Sequence, residues 1–425
     1  MSYFDTFLYS YPVFMTFLWM TGAVLFFLRR EWRKPGVHKP PPLHAYPKVS
    51  ILIPCHNEEE TIQETIECLD KLHYLAYEVI AINDGSTDET EHILDALSKN
   101  YAWLRVIHLR ENRGKATALN LGVLSSQSDF IVCVDADAML DPYAVNWMMS
   151  HFINWPNVGA VTGNPRIRNC ETLLCKIQVG EFSAIVGMIK RCQRILGKLF
   201  TISGVIGGFR RRALIDVRLW DTDSVTEDID ISWKLQTHDW DIRFEPRALC
   251  RILMPGTLKG LFKQRLRWAQ GGMEVMLKNL WILTKWKQRR LYFLYVDYLF
   301  SVAWIYFITY SVLIWVVDLF RDPQTGAFSL DFFLNPPMLP LALSLSGSWH
   351  TVMIGVVCIL QFTLGLFMDN CYEKGMRRYY FWAIWYPFVY WVIILVTSII
   401  GIPKALFKKK SKFAVWDSPD RGIHL

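Results

Sequence analysis

Phe130-Ile-Val-Cys-Val-Asp-Ala-Asp-Ala-Met139 is an apolar run that ends abruptly in two carboxylates one residue apart. It reads as a buried strand meeting water. In an open α/β sheet, ligands bind in the crevice outside the carboxyl ends of the strands, so Asp135 and Asp137 stand where a substrate is expected. Side chains alternate along a strand, so positions i and i+2 point the same way, and two carboxylates at that spacing can share one divalent cation. The same pattern recurs at Asp221/Asp223, Asp228/Asp230 and Asp239/Asp241, but only the pair at 135/137 follows an apolar strand.

Outward from this stretch the chain repeats strand, turn, helix. Val49-Ser-Ile-Leu-Ile53 precedes an acidic helix start at Asn57-Glu-Glu-Glu60, and Tyr77-Glu-Val-Ile-Ala-Ile82 precedes Asn83-Asp-Gly-Ser-Thr-Asp88. Leu104 to Leu109 is a third strand and Phe130 to Val134 a fourth. This alternation predicts an α/β domain with a doubly wound, mostly parallel sheet. Asp84 ends its strand as Asp135 does, with Gly85 permitting the turn; Ser86, Thr87 and Asp88 offer helix caps, so capping and ligand binding are both open for this loop. Gly114-Lys115 lies just before the helix Ala116-Thr-Ala-Leu-Asn-Leu-Gly-Val123, where dipole and ammonium together favour a phosphate; a solvated lysine is the plainer alternative. No Gly-X-X-X-X-Gly-Lys-Ser/Thr element and no Gly-X-Gly-X-X-Gly after a strand occurs, which argues against a P-loop ATPase or a dinucleotide enzyme. In Ser224-Val-Thr-Glu-Asp-Ile-Asp230, three acids precede an amphipathic helix; one can be a cap, or can take a proton from an attacking hydroxyl.

The chain has 425 residues, enough for a sizeable core and more than one domain. Hydrophobic residues make 52% and aromatics 15%, concentrated in blocks at both ends, which points to a membrane. The net charge of +7 comes from Lys and Arg beside those blocks, which membrane topology explains better than nucleic acid does. Nine scattered cysteines without Cys-X-X-Cys or zinc spacing read as reduced thiols facing the cytosol. Tyr11 to Leu28 is an apolar run followed by Arg29-Arg-Glu-Trp-Arg-Lys34, a flank that puts the next segment in the cytosol. A cleaved signal peptide fits less well, since the charges follow the run and no small-residue cleavage site does. Lys39-Pro-Pro-Pro-Leu43 is a linker.

After Pro255, Leu258, Leu261, Phe262, Leu266, Trp268, Met273, Met276, Leu277 and Leu280 recur at helical spacing among basic residues, the pattern of a helix lying on a membrane surface. Gln264-Arg-Leu-Arg-Trp268 falls inside it, with lipid contact as the plain reading. Leu291 to Val317 and His350 to Met368 are long enough to span, forming a hairpin with Asp318 to Asn335 outside. Tyr379 to Ile402 is flanked by Arg377-Arg378 and Lys408-Lys-Lys410, with Pro387 near its middle, and fits either a crossing or a bent re-entrant segment. The resulting division is a membrane helix and linker over 1–45, a cytosolic catalytic domain over 46–256, amphipathic interface helices over 257–290, and a membrane region with a basic tail over 291–425.

Taken together, Asn57-Glu58, Asp84-Gly85, Asp135-Ala-Asp137, Thr226-Glu-Asp228 and Gln264-Arg-Leu-Arg-Trp268 resemble the inverting, processive family 2 glycosyltransferases, the cellulose, chitin and hyaluronan synthase group. Individually these motifs are weak; five in order are strong. Val161-Thr-Gly-Asn-Pro-Arg-Ile-Arg168, Lys176-Ile-Gln-Val-Gly-Glu181 and Trp416-Asp-Ser-Pro-Asp-Arg-Gly-Ile423 extend the likeness over nearly the whole chain, toward bacterial members that build β-1,6-linked N-acetylglucosamine polymers. The resemblance implies a nucleotide-sugar-binding (GT-A type) domain between transmembrane helices of the inner, cytoplasmic membrane. It implies UDP-N-acetylglucosamine as donor, a growing polysaccharide as acceptor, Mg²⁺ or Mn²⁺ as cofactor, a small two-helix membrane partner and activation by cyclic di-GMP. Carried onto this chain, Asp84 would bind the uracil, with Glu58 and Lys115 beside the nucleotide. Asp135 would hold the donor and, with Asp137, the metal. Asp228 would be the general base. Glu227, Gln264, Arg267 and Trp268 would contact acceptor or diphosphate. The basic run Lys190, Arg191, Arg194 and Lys198 would meet the cyclic di-GMP anion unless it is a solvated face. One departure is Gly207-Gly208 before Phe209-Arg-Arg211, where a larger side chain is expected and its loss would loosen the loop roofing the acceptor. The competing readings are another family 2 synthase, a sugar transferase to a lipid phosphate carrier, and a nucleotide-binding gate on a transporter.

Overall fold

The computed structural model describes residues 3–319, 349–383, 386–408, 413–415 and 420–422. At its centre is an eight-stranded sheet: β1 (Val49–Cys55), β2 (Tyr77–Asp84), β3 (Leu104–Leu109), β4 (Phe130–Val134), β5 (Met139–Leu140), β6 (Val158–Ile167), β7 (Ile206–Arg210) and β8 (Asp241–Ile252), in the order β3-β2-β1-β4-β7-β6-β8-β5. The β1–β2, β2–β3, β1–β4 and β6–β8 pairs are parallel; β7 runs antiparallel to β4 and β6, and β5 antiparallel to β8.

The central strands are apolar throughout because both faces are covered. Ile51 and Ile53 of β1 join one core with Ile62, Ile66 and Leu69 of α2 (Ile62–Leu69), whereas Leu52 points the other way to Ala118, Leu119 and Val123 of α4 (Lys115–Ser125). This alternation is the period of two, realised with a helical layer on each side. α3 (Thr90–Asn100) and α5 (Ala144–Asn154) add to the first layer. α8 (Arg211–Asp216) and α9 (Glu227–Thr237) add to the second. The chain leaves β1 toward β2 on one side and returns to β4 on the other, so the crevice between the carboxyl ends of β1 and β4 is the switch point of the sheet.

Two sequence expectations change here. Gly207 and Gly208 are not in a roofing loop but within β7, opposite Cys133 and Val132. A Cβ on Gly207 would lie 2.9 Å from Ile202, and one on Gly208 3.2 Å from Met148 Sδ and Phe152, so close packing fills the space a larger side chain would need. Asp135 and Asp137 also lie past the end of β4, on a turn closed by the Ala138 N–H to Asp135 carbonyl bond of 3.1 Å. The turn, rather than strand pleat, brings the two carboxylates to one side.

Long helices pack against this domain. α1 (Tyr3–Phe26) continues through a π-helical turn to Glu31, and α11 (Arg289–Leu319) has 31 residues. The segments Thr6–Glu31 and Trp286–Ile314 are long and apolar enough to cross a membrane. α12 (Trp349–Asp369) and α14 (Tyr386–Leu406) are apolar as well, and a short α13 (Tyr380–Ala383) lies between them. Phe300, Phe307, Leu313, Met353, Ile359 and Val392 are exposed on these helices, faces that ask for a non-aqueous neighbour. Pro387 lies in the helical residues that follow 384–385, which are outside the described residues. The segment 320–348, expected beyond the membrane, lies outside the described residues, as do 416–419 and 423 of the tail motif.

The basic run at 190–198 is not a surface patch on α7 (Met188–Leu196). Arg191 is fully buried and bonds Glu31 at 2.8 and 3.1 Å and Asp369 at 3.1 Å; Arg166 bonds Asp369 at 2.6 Å. Two guanidiniums and two carboxylates thus tie the ends of α1 and α12 to α7 and β6. Arg194 pairs with Asp241 at 2.8 Å, Lys198 donates to the Gln236 carbonyl, and Lys190 is buried. These cations meet protein groups instead of forming a solvated face.

α10 (Leu258–Lys278) is amphipathic as expected, but it packs on protein. Arg265 is buried in an ion pair with Glu181 at 2.7 Å, and Gly271 lies directly against the Thr226 side chain. Gly401 of α14 sits against Ala269 and the Leu266 carbonyl.

Candidate active site

Glu58 follows β1 and Asp135 follows β4, which sets them on either side of the switch point. Both line a cavity of about 1050 Å³, together with Lys115, Asp137, Glu227, Asp228, Gln264, Arg267 and Trp268. Nine of the ten candidate residues therefore share one cavity. The exception is Asp84, which is fully buried and absent from the cavity wall. Its oxygens accept the backbone N–H groups of Arg113 at 2.9 Å and Gly114 at 2.8 Å. Gly114 has φ +87°, a left-handed conformation natural to glycine, and caps the α4 N-terminus. In this state Asp84 holds the turn that presents Lys115, and its contact is with backbone rather than a base in the cavity.

Lys115 is the electrostatic centre. Its Nζ lies 2.6 Å from Asp135 and 3.1 Å from Glu227, and donates to the Gly204 carbonyl at 3.2 Å. Burial disfavours its charge, but Asp135 and Glu227 outweigh that and hold its pKa well above the ordinary lysine range. Glu227 is pushed up by burial and pulled down further by Lys115 and Arg267, ending below the usual carboxylate value. Burial raises Asp135 despite Lys115. Asp228 lies in the first turn of α9, one Oδ1 accepting the Ile229 N–H at 2.8 Å. Burial, then the charge of Glu227, push its pKa up to about 6 against Lys115. A carboxylate with its affinity for protons raised is better suited to general-base work than an ordinary surface acid.

Arg421, which sequence reasoning did not single out, donates to Asp137 Oδ2 at 2.8 Å and pairs with Glu58. Burial, with Asp137 adding to it, lifts the Glu58 pKa to about 8 although Arg421 opposes the shift. Among the described residues no group of three or more His, Cys, Asp or Glu could hold a metal. Asp135 and Asp137 nonetheless fit a hard cation that keeps few protein ligands and takes the rest from substrate phosphates, the usual habit of Mg²⁺. The guanidinium on Asp137 indicates that this position accepts positive charge.

α10 contributes Gln264, Arg267 and Trp268 to the cavity wall. Arg265 stacks its guanidinium 4.0 Å from the centre of the Trp268 ring, fixing the indole at the cavity wall. The tight Gly271–Thr226 approach keys α10 to the start of α9, where Asp228 sits. Arg265 was legible only as part of a motif, and Arg421 carried no signal beyond its place in the tail.

Residues 50–218 match the family described as Glycosyl transferase family 2. A poly-beta-1,6-N-acetyl-D-glucosamine synthase of Staphylococcus epidermidis is 40% identical over 418 residues, covering 98% of each chain. The chain belongs to glycosyl transferase family 2. A synthase of the same description from Staphylococcus aureus (strain COL) is 40% identical over 421 residues, covering 99% of this chain and 98% of that one. Among solved structures, a mannosyltransferase from Pyrobaculum calidifontis in complex with GDP-Man and Mn²⁺ aligns with TM-score 0.60 and 18% identity, covering 95% of this chain and 99% of that chain; it supports the GT-A-like fold alone. As a family 2 member the protein is a nucleotide-sugar glycosyltransferase.

Proposed function

We propose that this enzyme transfers N-acetylglucosamine from UDP-N-acetylglucosamine to the 6-hydroxyl of a growing β-1,6-linked chain, with inversion, and feeds the product toward the membrane. The observation that carries the reading is the continuity of one cavity. It runs from Glu58, Asp135 and Asp137 past Asp228 and Trp268 to Tyr298, Ser301, Val302 and Ile305 of α11 and to Ile394 and Ser398 of α14. A polymerase that exports its product needs such a path, whereas a transferase releasing a soluble product does not.

In this reading Lys115, Glu58 and Arg267 orient the UDP moiety, and Asp84 keeps the Gly114-Lys115 turn in place. Asp135 and Asp137 would hold Mg²⁺ or Mn²⁺, whose charge offsets that developing on the departing diphosphate. Asp228 accepts the proton of the acceptor hydroxyl as its oxygen attacks the anomeric carbon from the face opposite UDP. One base suffices for inversion. Trp268 gives the acceptor sugar a flat apolar platform, held by Arg265, and Gln264 faces the same space. Staying bound to that platform while the next donor enters is what processive synthesis requires. The reading includes a multi-pass protein of the cytoplasmic membrane and a small two-helix partner on the exposed faces of α11 and α12. Its name-level support is the relatives described as poly-beta-1,6-N-acetyl-D-glucosamine synthase.

The test is polymer synthesis by purified membranes given radiolabelled UDP-N-acetylglucosamine and Mg²⁺, with and without Asp228→Asn. High-molecular-weight product in wild type alone supports the reading. A single sugar on an organic-extractable lipid would overturn it.

A further inference from the structure

A second ammonium lies in the cavity wall. Lys190 of α7 is 5% exposed, and among the described residues its Nζ meets two hydroxyls, Ser203 Oγ at 3.1 Å and Thr162 Oγ1 at 3.3 Å. Buried lysines ordinarily find a carboxylate, because an ammonium taken from water without one is costly. Here the carboxylate that acts on it is Asp228, which lines the same cavity. Burial lowers its pKa to about 8, with Asp228 pulling the other way.

The turn Ser203-Gly204 sets the spacing. Ser203 accepts from Lys190 and donates its backbone N–H to Thr162 Oγ1 at 2.9 Å, which orients the second hydroxyl. The next residue, Gly204, receives Lys115 on its carbonyl, and a Cβ there would lie 3.1 Å from Asp228 Oδ2. Two consecutive residues thus space two ammoniums about the base. Lys115 is committed to Asp135 and Glu227 on the donor side. Asp228 acts on Lys190 as well as on Lys115. An ammonium has three donors, and two are taken by hydroxyls; the Phe244 ring centre is 6.0 Å from Nζ, at the outer reach of a cation–π contact, which leaves a donor for a molecule in the cavity that Lys190 lines.

We propose that Lys190 binds the acceptor, its remaining N–H taking a neutral oxygen of the terminal N-acetylglucosamine beside Asp228, and its charge excluding a terminal sugar that bears a free amine. This deepens the function proposed above and rests on it. A hydroxyl or N-acetyl carbonyl satisfies the donor. A protonated sugar amine brings a second positive charge into a poorly solvated space and offers no acceptor.

The test uses full-length enzyme in membranes, with short β-1,6-linked acceptors ending in either N-acetylglucosamine or glucosamine, and UDP affinity measured separately. Wild type should extend the acetylated acceptor and use the amine-ended one poorly. Lys190→Met should raise the KM of the acetylated acceptor about tenfold, the scale of a lost charged hydrogen bond, and narrow the preference between acceptors. Its UDP affinity should stay near wild type. If that variant loses UDP binding, Ser203→Ala decides, with an expected rise in acceptor KM of about threefold at unchanged UDP affinity. Unchanged acceptor KM and unchanged preference, in enzyme that still polymerises, would overturn the assignment of Lys190. A wild-type enzyme that makes no N-acetylglucosamine polymer would instead sink the function on which it rests.

Discussion

The acid limb of the pH–rate profile should belong to Asp228, and its two neighbours should move it in opposite directions. With its pKa near 6, Asp228 is the required base only while ionised, so activity is present above about pH 6 and falls as pH drops through that value. An ordinary aspartate would keep the limb near 4; the difference is about 3 kcal/mol of disfavoured charge. Glu227→Gln removes the adjacent negative charge. At an effective dielectric of about 20 and roughly 6 Å, a full charge is worth ~3 kcal/mol; sharing Lys115 halves it, so the limb should move down by about one unit. Lys115→Met removes the cation and should move the limb up by a similar amount, with some loss of stability from the carboxylates left unpaired. The assay is kcat against pH at saturating donor and fixed Mg²⁺. Unfolding through this group does not mimic the effect: a carboxyl whose folded pKa is raised binds more protons folded than unfolded between about 4 and 6, so its contribution to stability improves in acid. Limbs that shift the same way in both variants, or a wild-type limb near pH 4, would refute the assignment.

Other outcomes follow from the same geometry. Asp228→Asn should lower turnover by about 10²–10⁴-fold, with UDP affinity in equilibrium binding unchanged. Gly271→Val drives a side chain into Thr226 and should cost about 1–3 kcal/mol, seen as a lower thermal midpoint together with reduced kcat as the α9 start is displaced. Asp369→Asn leaves Arg166 and Arg191 in a site that no longer balances them and should cost about 3–5 kcal/mol, measured by thermal inactivation in detergent, with little change in acceptor KM of the surviving enzyme. Glu245, bonded to His151 at 2.9 Å and Arg247 at 2.6 Å, has its pKa held down to about 2 against burial. Its stabilising contribution of roughly 3 kcal/mol is present above about pH 4.5 and lost as pH falls toward 2, so Glu245→Gln should flatten that acid destabilisation.

The first four strands were legible because buried parallel strands are continuous apolar runs, and the acids ending them announced the sheet edge. β7 was not: a strand with Gly207-Gly208 looks like a loop until Met148 and Phe152 are seen filling the space above it. The α10 stripe was read as amphipathic, and periodicity says that a face is covered but not by what. The fold buries Leu261 and Met276 in protein and leaves Leu258, Trp268 and Leu280 exposed. The basic run at 190–198 failed for a related reason: charge in sequence suggests solvent, and only tertiary structure reveals Glu31 and Asp369 waiting for Arg191. Arg421 reaches Asp137 across 284 residues, a pairing no local pattern encodes. The candidate acids, with Lys115 and Arg267, were visible as residue types at the right places, whereas Arg421 on Asp137 came only from the fold.

Linkage analysis of the product tests the central claim most directly. Membranes containing the enzyme are incubated with radiolabelled UDP-N-acetylglucosamine and Mg²⁺, and the high-molecular-weight material is digested with linkage-specific glycosidases. The account predicts a polymer degraded by a β-1,6-hexosaminidase and resistant to chitinase; a product cut by chitinase would contradict it.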